Sequence, residues 1–184
     1  DFGLGAALVQ KKEELKREDL VTTFTLQASI TLAIFIGVFL LKDQISQFFR
    51  LNMEGERLLL VLVFTIFISS FKTIPSILLE REINFGKLVI PQIAESLSFN
   101  LILVVLVIRG FGIDSYTWAF LISSLIGIPF YYYISPWMPG IGIDKKSLSS
   151  LKFGIQFQAK NILATIKDDL LTVILVKFLS FTEI

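Results

Sequence analysis

The feature that most constrains this chain is a run of 22 residues, 20–41, that contains no charged side chain. An α-helix rises about 1.5 Å per residue, so a run of this length crosses the roughly 30 Å hydrocarbon core of a bilayer. The chain as a whole is 54% apolar, above the share of about 45–50% that is usual in soluble domains. A single water-soluble domain is therefore disfavoured, and we expect an all-α integral membrane protein.

Four further segments have the length and composition of membrane spans. They cover residues 58–79, 88–108, 115–143 and 153–181. The second span contains Lys72 and Pro75, the third contains Glu95, and the fourth has no charge and ends in aromatic residues, which suit the membrane interface. We therefore predict a polytopic transmembrane helix bundle with five spans.

The fifth span differs from the others because it carries five charges, at Lys160, Lys167, Asp168, Asp169 and Lys177. A soluble amphipathic helix would also explain these charges, and this alternative stays open. We favour a functional membrane helix, because the apolar residues are unbroken and ionisable residues within a span usually mark a substrate or ion path.

The segments between the spans are short and charged. Lys and Arg number nine in the segment before the first span, the turn after the second and the linker after the fourth, against four in the two remaining segments. The positive-inside rule therefore predicts that the first set is cytoplasmic, including the turn with Arg81, Glu82 and Phe85. The mixed-charge run 11–19 is expected to be a solvated linker or a surface helix.

Charged side chains at membrane depth are the candidates for function, because each costs about 2.5–3.5 kcal/mol on insertion scales unless it finds a partner or a cavity. In the second span, a 4, 3, 4 spacing places four polar residues on one helix face. They are Thr65, Ser69, Lys72 and Ser76.

Two of the membrane charges are predicted to meet. If the second and third spans form an antiparallel hairpin about residues 83 and 84, Lys72 lies level with Glu95. We predict an ion pair between them, which would offset part of the cost of burial. The alternative is that the helices are rotated apart and Lys72 extends toward the cytoplasmic surface.

Several classes of function are disfavoured. The chain has no Cys and no His, which removes disulfides, thiol chemistry and most transition-metal sites, and its net charge of +1 does not favour a nucleic-acid partner. Asp168 and Asp169 are adjacent, so they diverge by about 100° on a helix and suit paired carboxylate catalysis poorly. No metal or cofactor is expected.

Short motifs along the chain resemble those of polysaccharide and oligosaccharide flippases and exporters of the MOP superfamily. Residues 1–10, DFGLGAALVQ, resemble the end of that family's second helix. Its L-x-R-E-x-x-F turn between helices four and five matches Leu79, Arg81, Glu82 and Phe85. Its G-F-G turn before helix six resembles Gly110, Phe111 and Gly112, and its lobe junction resembles Pro136 and Trp137.

The resemblance implies a MATE-like fold of two lobes, of which this chain would be a fragment covering about helices three to seven. Residues 1–143 would belong to the N-terminal lobe, 144–152 to a cytoplasmic inter-lobe linker and 153–184 to the first helix of the C-terminal lobe. The implied location is the cytoplasmic, or inner, membrane of the cell, with several passes.

For function, the resemblance implies a transporter rather than an enzyme, which moves a lipid-linked oligosaccharide of the polyprenyl pyrophosphate type by alternating access. The candidate cavity cations are Lys72, Lys160 and Lys167, and the candidate coupling or ion-pair carboxylates are Glu95 and either Asp168 or Asp169. Membrane lipids, a polysaccharide polymerase and glycosyltransferases are the other implied partners.

Three alternatives stay open. The charges can serve only to hold helices together, because helix packing in membranes also uses polar contacts. A drug or cation antiporter of the same superfamily would need acidic residues to dominate its cavity. A membrane-embedded glycosyl or acyl transferase would be expected to show His or clustered Asp motifs at the membrane face.

Overall fold

The computed structural model describes residues 4–11 and 13–148, and this part of the chain is all-helical. Its helices are α1 (Leu4–Gln10), α2 (Arg17–Leu40), α3 (Lys42–Phe49), α4 (Met53–Arg81), α5 (Phe85–Ile108) and α6 (Asp114–Ile134). Helices α2, α4, α5 and α6 are long and apolar enough to cross a membrane. The architecture is that of a polytopic helical membrane protein, as predicted from the first four spans. The predicted fifth span lies outside the described residues.

Helix α4 occupies the middle of the bundle. It packs on α2 along one side and on α6 along another, whereas α5 packs mainly on α6 and touches α4 much less. The four long helices therefore follow the spatial order α2, α4, α6, α5. Helices α4 and α5 both pack on α6 but make few contacts with each other, so a gap separates them.

On α2 and α6 the buried residues are mostly small or polar, while many large apolar residues face outward. Helix α2 buries Asp19, Thr22, Thr23, Phe24, Gln27 and Thr31. Its outer surface exposes side chains such as Ile34, Phe39 and Leu40. Helix α6 likewise buries Ser115, Thr117, Ala119, Ser123, Ser124, Gly127 and Tyr131. This distribution is typical of helices packed in lipid, where small residues allow close approach and apolar residues meet the acyl chains.

Contacts at the two ends of the bundle show which connections lie together. The Arg81 guanidinium, at the end of α4, donates to the carbonyl oxygens of Leu8 at 2.8 Å and Lys11 at 2.7 Å. At the opposite end, Arg57 Nη1 lies 3.3 Å from Asp114 Oδ2, which joins the starts of α4 and α6. The segments therefore alternate between the ends as predicted, and the charge count predicts that the Arg81 end is cytoplasmic.

The boundaries of two predicted spans differ from those of the helices. Helix α4 begins at Met53 rather than at residue 58, because the Asn52 side chain accepts the Gly55 N–H at 2.8 Å and caps a charged first turn. The prediction of a fourth span over residues 115–143 was wrong at its end, since α6 stops at Ile134. The Ser135 N–H donates to the Tyr131 carbonyl at 2.8 Å, whereas the N–H groups of Gly142 and Asp144 donate to threonine hydroxyls of α2 instead of to a helix ladder.

The segment after α6 runs back along the start of α2. The Gly142 N–H donates to Thr25 Oγ1 at 3.1 Å, and the Asp144 N–H donates to Thr22 Oγ1 at 2.9 Å. Residues 145–148 then form one helical turn. The threonine hydroxyls of α2 thus bind backbone groups of a segment that is not helical.

Candidate functional site

The predicted ion pair between the second and third spans is confirmed. Lys72 Nζ of α4 lies 2.8 Å from Glu95 Oε1 of α5, with the two side chains 10% and 27% exposed. Both residues lie well inside spans, where a lone charge would be costly. The pair therefore links α4 and α5 across the gap between these two helices, although α5 packs mainly on α6.

A cleft of about 270 Å³ surrounds this pair. Its walls are formed by Ser69, Lys72, Thr73, Ser76, Ile77, Glu80, Glu95 and Tyr131. Three members of the predicted polar face of the second span, Ser69, Lys72 and Ser76, thus line one cavity. The fourth, Thr65, lies one turn away from Ser69, and its hydroxyl donates to the Leu62 carbonyl at 2.7 Å.

Helix α6 determines where the Glu95 side chain lies. An added Cβ at the buried Gly127 would come 1.5 Å from Glu95 Oε1 and 2.3 Å from its Cδ. The Glu95 side chain therefore occupies the space that a side chain at residue 127 would fill, and a larger residue there would have to displace it. Tyr131, one turn further along α6 and 7% exposed, contributes to the floor of the cleft.

The cleft contains charges of both signs. Glu80 lies toward the Arg81 end of α4 and accepts a hydrogen bond of 3.3 Å from Ser76 Oγ. An anion that enters the cleft can bind the Lys72 ammonium in place of Glu95, and a cation can bind Glu95 in place of Lys72. The cleft therefore presents an ammonium suited to an anionic group and carboxylates suited to a cationic group.

A second cavity, of about 380 Å³, lies at the Arg81 end. It is lined by Lys11, Glu13, Lys16, Glu18, Asp19, Asp144, Lys146 and Ser147. Asp19 Oδ2 accepts hydrogen bonds from Lys11 Nζ at 2.8 Å and from the Lys16 N–H at 3.0 Å. Asp19 is only 4% exposed, so the expectation that the run 11–19 is simply solvated was wrong for this residue.

Asp144 organises the turn beside this cavity. Its carboxylate accepts the Ser147 N–H at 2.9 Å and the Ser147 hydroxyl at 3.2 Å. These bonds, the backbone bond first, hold the pKa of Asp144 below its ordinary value. The residue therefore caps the turn at 145–148 as a carboxylate.

The sequence reasoning missed some of the residues that matter here. Gly127 and Tyr131 carry no signal of their own, because their role depends on how α6 packs. A sequence signal does exist for four polar residues that recur every fourth position along α2, namely Asp19, Thr23, Gln27 and Thr31.

The candidate site residues Lys160, Lys167, Asp168 and Asp169 lie outside the described residues. Within the described ranges, no group of three or more His, Cys, Asp or Glu residues could hold a metal ion.

Comparison with known proteins identifies the family. The sequence matches the family model for polysaccharide biosynthesis proteins over residues 1–184. No curated protein matches the chain, and no solved structure matches it. Because the family match extends over the whole sequence, the chain belongs to the polysaccharide biosynthesis protein family.

Proposed function

We propose that this chain belongs to a transporter of the MOP superfamily that moves a lipid-linked oligosaccharide across the cytoplasmic membrane by alternating access. Membership of the polysaccharide biosynthesis family and the four long apolar helices support this proposal. The observation that carries it is the Lys72–Glu95 pair, held at 2.8 Å inside a polar cleft between two spans.

A polar cleft at membrane depth fits the chemistry of such a substrate. The polyprenyl tail can stay in the lipid, whereas the pyrophosphate and the sugars need polar contacts to pass the hydrocarbon core. Lys72 supplies a cation for a phosphate group, and the hydroxyls of Ser69, Thr73 and Ser76 supply hydrogen bonds. Glu95 neutralises Lys72 when no substrate is bound.

The cleft volume suggests which part of the substrate it takes. At about 270 Å³, the cleft is at the small end of ligand sites in proteins. It suits the pyrophosphate group better than a whole oligosaccharide, which needs further surface. In this proposal that surface includes Lys160 and Lys167, with Asp168 or Asp169 as a coupling carboxylate, and residues 144–152 link two lobes.

A specific observation keeps a second candidate function in view. Among the described residues that line the cleft, the carboxylates Glu80 and Glu95 outnumber the single cation Lys72. An excess of acid favours a cationic ligand, so a drug or cation antiporter of the same superfamily is the second candidate.

Binding to the full-length protein in nanodiscs distinguishes the two candidates. If the flippase proposal holds, Lys72→Gln should weaken binding of a polyprenyl pyrophosphate-linked oligosaccharide by about tenfold or more, and wild type should restore surface polysaccharide to a bacterial strain that lacks its own flippase. Lys87→Gln is the matched control, because Lys87 is exposed in the first turn of α5 and lies outside the cleft.

Two results would contradict the flippase proposal. One is wild-type binding of the oligosaccharide by Lys72→Gln. The other is tight binding of a cationic dye that Glu95→Gln abolishes while the pyrophosphate lipid does not compete. The second result would establish the antiporter candidate instead.

A further inference from the structure

Four buried polar residues form a polar stripe along α2. Asp19, Thr23, Gln27 and Thr31 are spaced four residues apart, so each lies about one turn along the helix and about 40° around it from the one before. Their exposed fractions are 4%, 0%, 4% and 1%.

The stripe runs between the cavity at the Arg81 end and the Lys72–Glu95 cleft. At one end, Asp19 lines the cavity of about 380 Å³ beside Lys11 and Ser147. Further along, Gln27 Nε2 donates to Thr73 Oγ1 of α4 at 2.8 Å, and Thr73 lines the Lys72–Glu95 cleft. Eight residues of helix separate Asp19 from Gln27, which is about 12 Å.

Two atoms in the middle of this connection are buried without a hydrogen-bond partner among the described residues. They are Thr23 Oγ1 and Gln27 Oε1. The neighbouring Thr31 hydroxyl differs, because it donates to the Gln27 and Ala28 carbonyls at 2.9 and 3.1 Å. Side chains one helical turn apart have Cβ atoms about 5–6 Å from each other. One water molecule spans such a gap with two hydrogen bonds of about 2.8 Å.

We propose that a bound water molecule joins Thr23 Oγ1 to Gln27 Oε1. This water would complete a polar connection from Thr23 through Gln27 to Thr73 in the wall of the Lys72–Glu95 cleft. This connection does not depend on which substrate the cleft binds.

The test is NMR of the full chain in lipid nanodiscs, observing the side-chain amide of Gln27. Wild type should show a cross-peak between water and this amide. The isosteric Thr23→Val change should remove the cross-peak, slow exchange of the amide protons with solvent by about tenfold or more, and lower the unfolding temperature. Thr23→Ser retains a hydroxyl and should retain the cross-peak.

A dry site would give the opposite result. Without bound water, wild type shows no cross-peak, and Thr23→Val removes an unpartnered hydroxyl and leaves the unfolding temperature unchanged or raised. Either finding overturns the proposal, and the wild-type measurement is decisive even if a variant fails to fold. Thr31→Val is the matched control, because the Thr31 hydroxyl already has partners. None of these readouts requires transport, so failure here is distinguishable from failure of the proposed function.

Discussion

The Glu95 carboxylate of α5 lies directly against Gly127 of α6, so close that a Cβ at residue 127 would come 1.5 Å from Glu95 Oε1. The same oxygen accepts a hydrogen bond from Lys72 Nζ of α4 at 2.8 Å. One glycine on α6 thus permits an ion pair between two helices that barely touch each other. Because Glu95 contacts both Lys72 and Gly127, the effects of mutations at these three residues on the free energy of unfolding should not be additive.

Replacing Gly127 with Ala should displace Glu95 and break its contact with Lys72. The atoms that an alanine Cβ would meet include Cγ and Cδ of Glu95, so the whole carboxylate end must move. Overpacking of this kind typically costs roughly 1–3 kcal/mol. The measurement is the free energy of unfolding of the full chain in detergent or nanodiscs.

Two comparisons make the Gly127 result specific. Gly37→Ala should be neutral or stabilising, because nothing lies within 4 Å of an added Cβ there and alanine favours helix. In a Glu95→Ala background, Gly127→Ala should cost little, because the clashing atoms are gone. An equal loss in both backgrounds would show that the glycine acts on something other than Glu95.

The Lys72–Glu95 pair should show coupling in a double-mutant cycle. Lys72→Ala and Glu95→Gln each leave one charged partner without its counter-ion inside a span, so each should be destabilising. The second change should then cost less when the first is present, with a coupling energy of about 1–3 kcal/mol. Losses in folded yield or unfolding free energy that simply add would contradict a direct interaction.

The sequence predicts the spans well but predicts their ends less well, for a physical reason. Runs without charge identify chain that is compatible with lipid, and four of the five predicted runs correspond to long apolar helices. A segment that is compatible with lipid need not be helical. The uncharged run 115–143 therefore extends beyond the end of α6 into a segment whose backbone N–H groups donate to Thr22 and Thr25. Hydrogen bonds between distant segments decide that boundary, and they leave no local pattern.

The sequence predicts the level in the membrane at which the candidate site lies, but not the packing of the side chains around it. Hairpin geometry places Lys72 level with Glu95, and the structure confirms their contact. Rotation of the helices, the room left by Gly127 and the position of Tyr131 all depend on the packing of α5 against α6, which no local pattern reveals. The predicted roles of Lys160, Lys167, Asp168 and Asp169 stay predictions.

Arg81→Lys should loosen the N-terminal segment from the bundle. The planar guanidinium donates to the carbonyls of Leu8, Lys11 and Glu13 together, and a lysine ammonium cannot match that fork. Hydrogen bonds to charged groups are each worth about 1.5–3 kcal/mol, so losing one or two should destabilise this contact by roughly 2 kcal/mol or more.

Limited trypsin digestion measures this loosening, because the exchange of Arg for Lys leaves the number of cleavage sites unchanged. Faster cleavage between residues 11 and 17 is expected in Arg81→Lys. Arg109→Lys provides the control, since Arg109 is an exposed residue at the other end of the bundle. Identical digestion of wild type and Arg81→Lys would show that the three carbonyl contacts do not hold the segment.

The turn at residues 145–148 should weaken in acid because of Asp144. The Ser147 N–H and hydroxyl hold the pKa of Asp144 below its ordinary value, so the folded state favours the carboxylate. The stabilisation is therefore complete above the ordinary Asp pKa of about 4 and is lost as the pH falls through the lowered value. Titration of the Asp144 carboxyl carbon by NMR should give a midpoint below that of an unfolded chain. Ser147→Ala keeps the N–H and removes the hydroxyl, so in this variant the Asp144 midpoint should rise only part of the way to the ordinary Asp value. A wild-type Asp144 midpoint at or above the ordinary value would contradict the capping role.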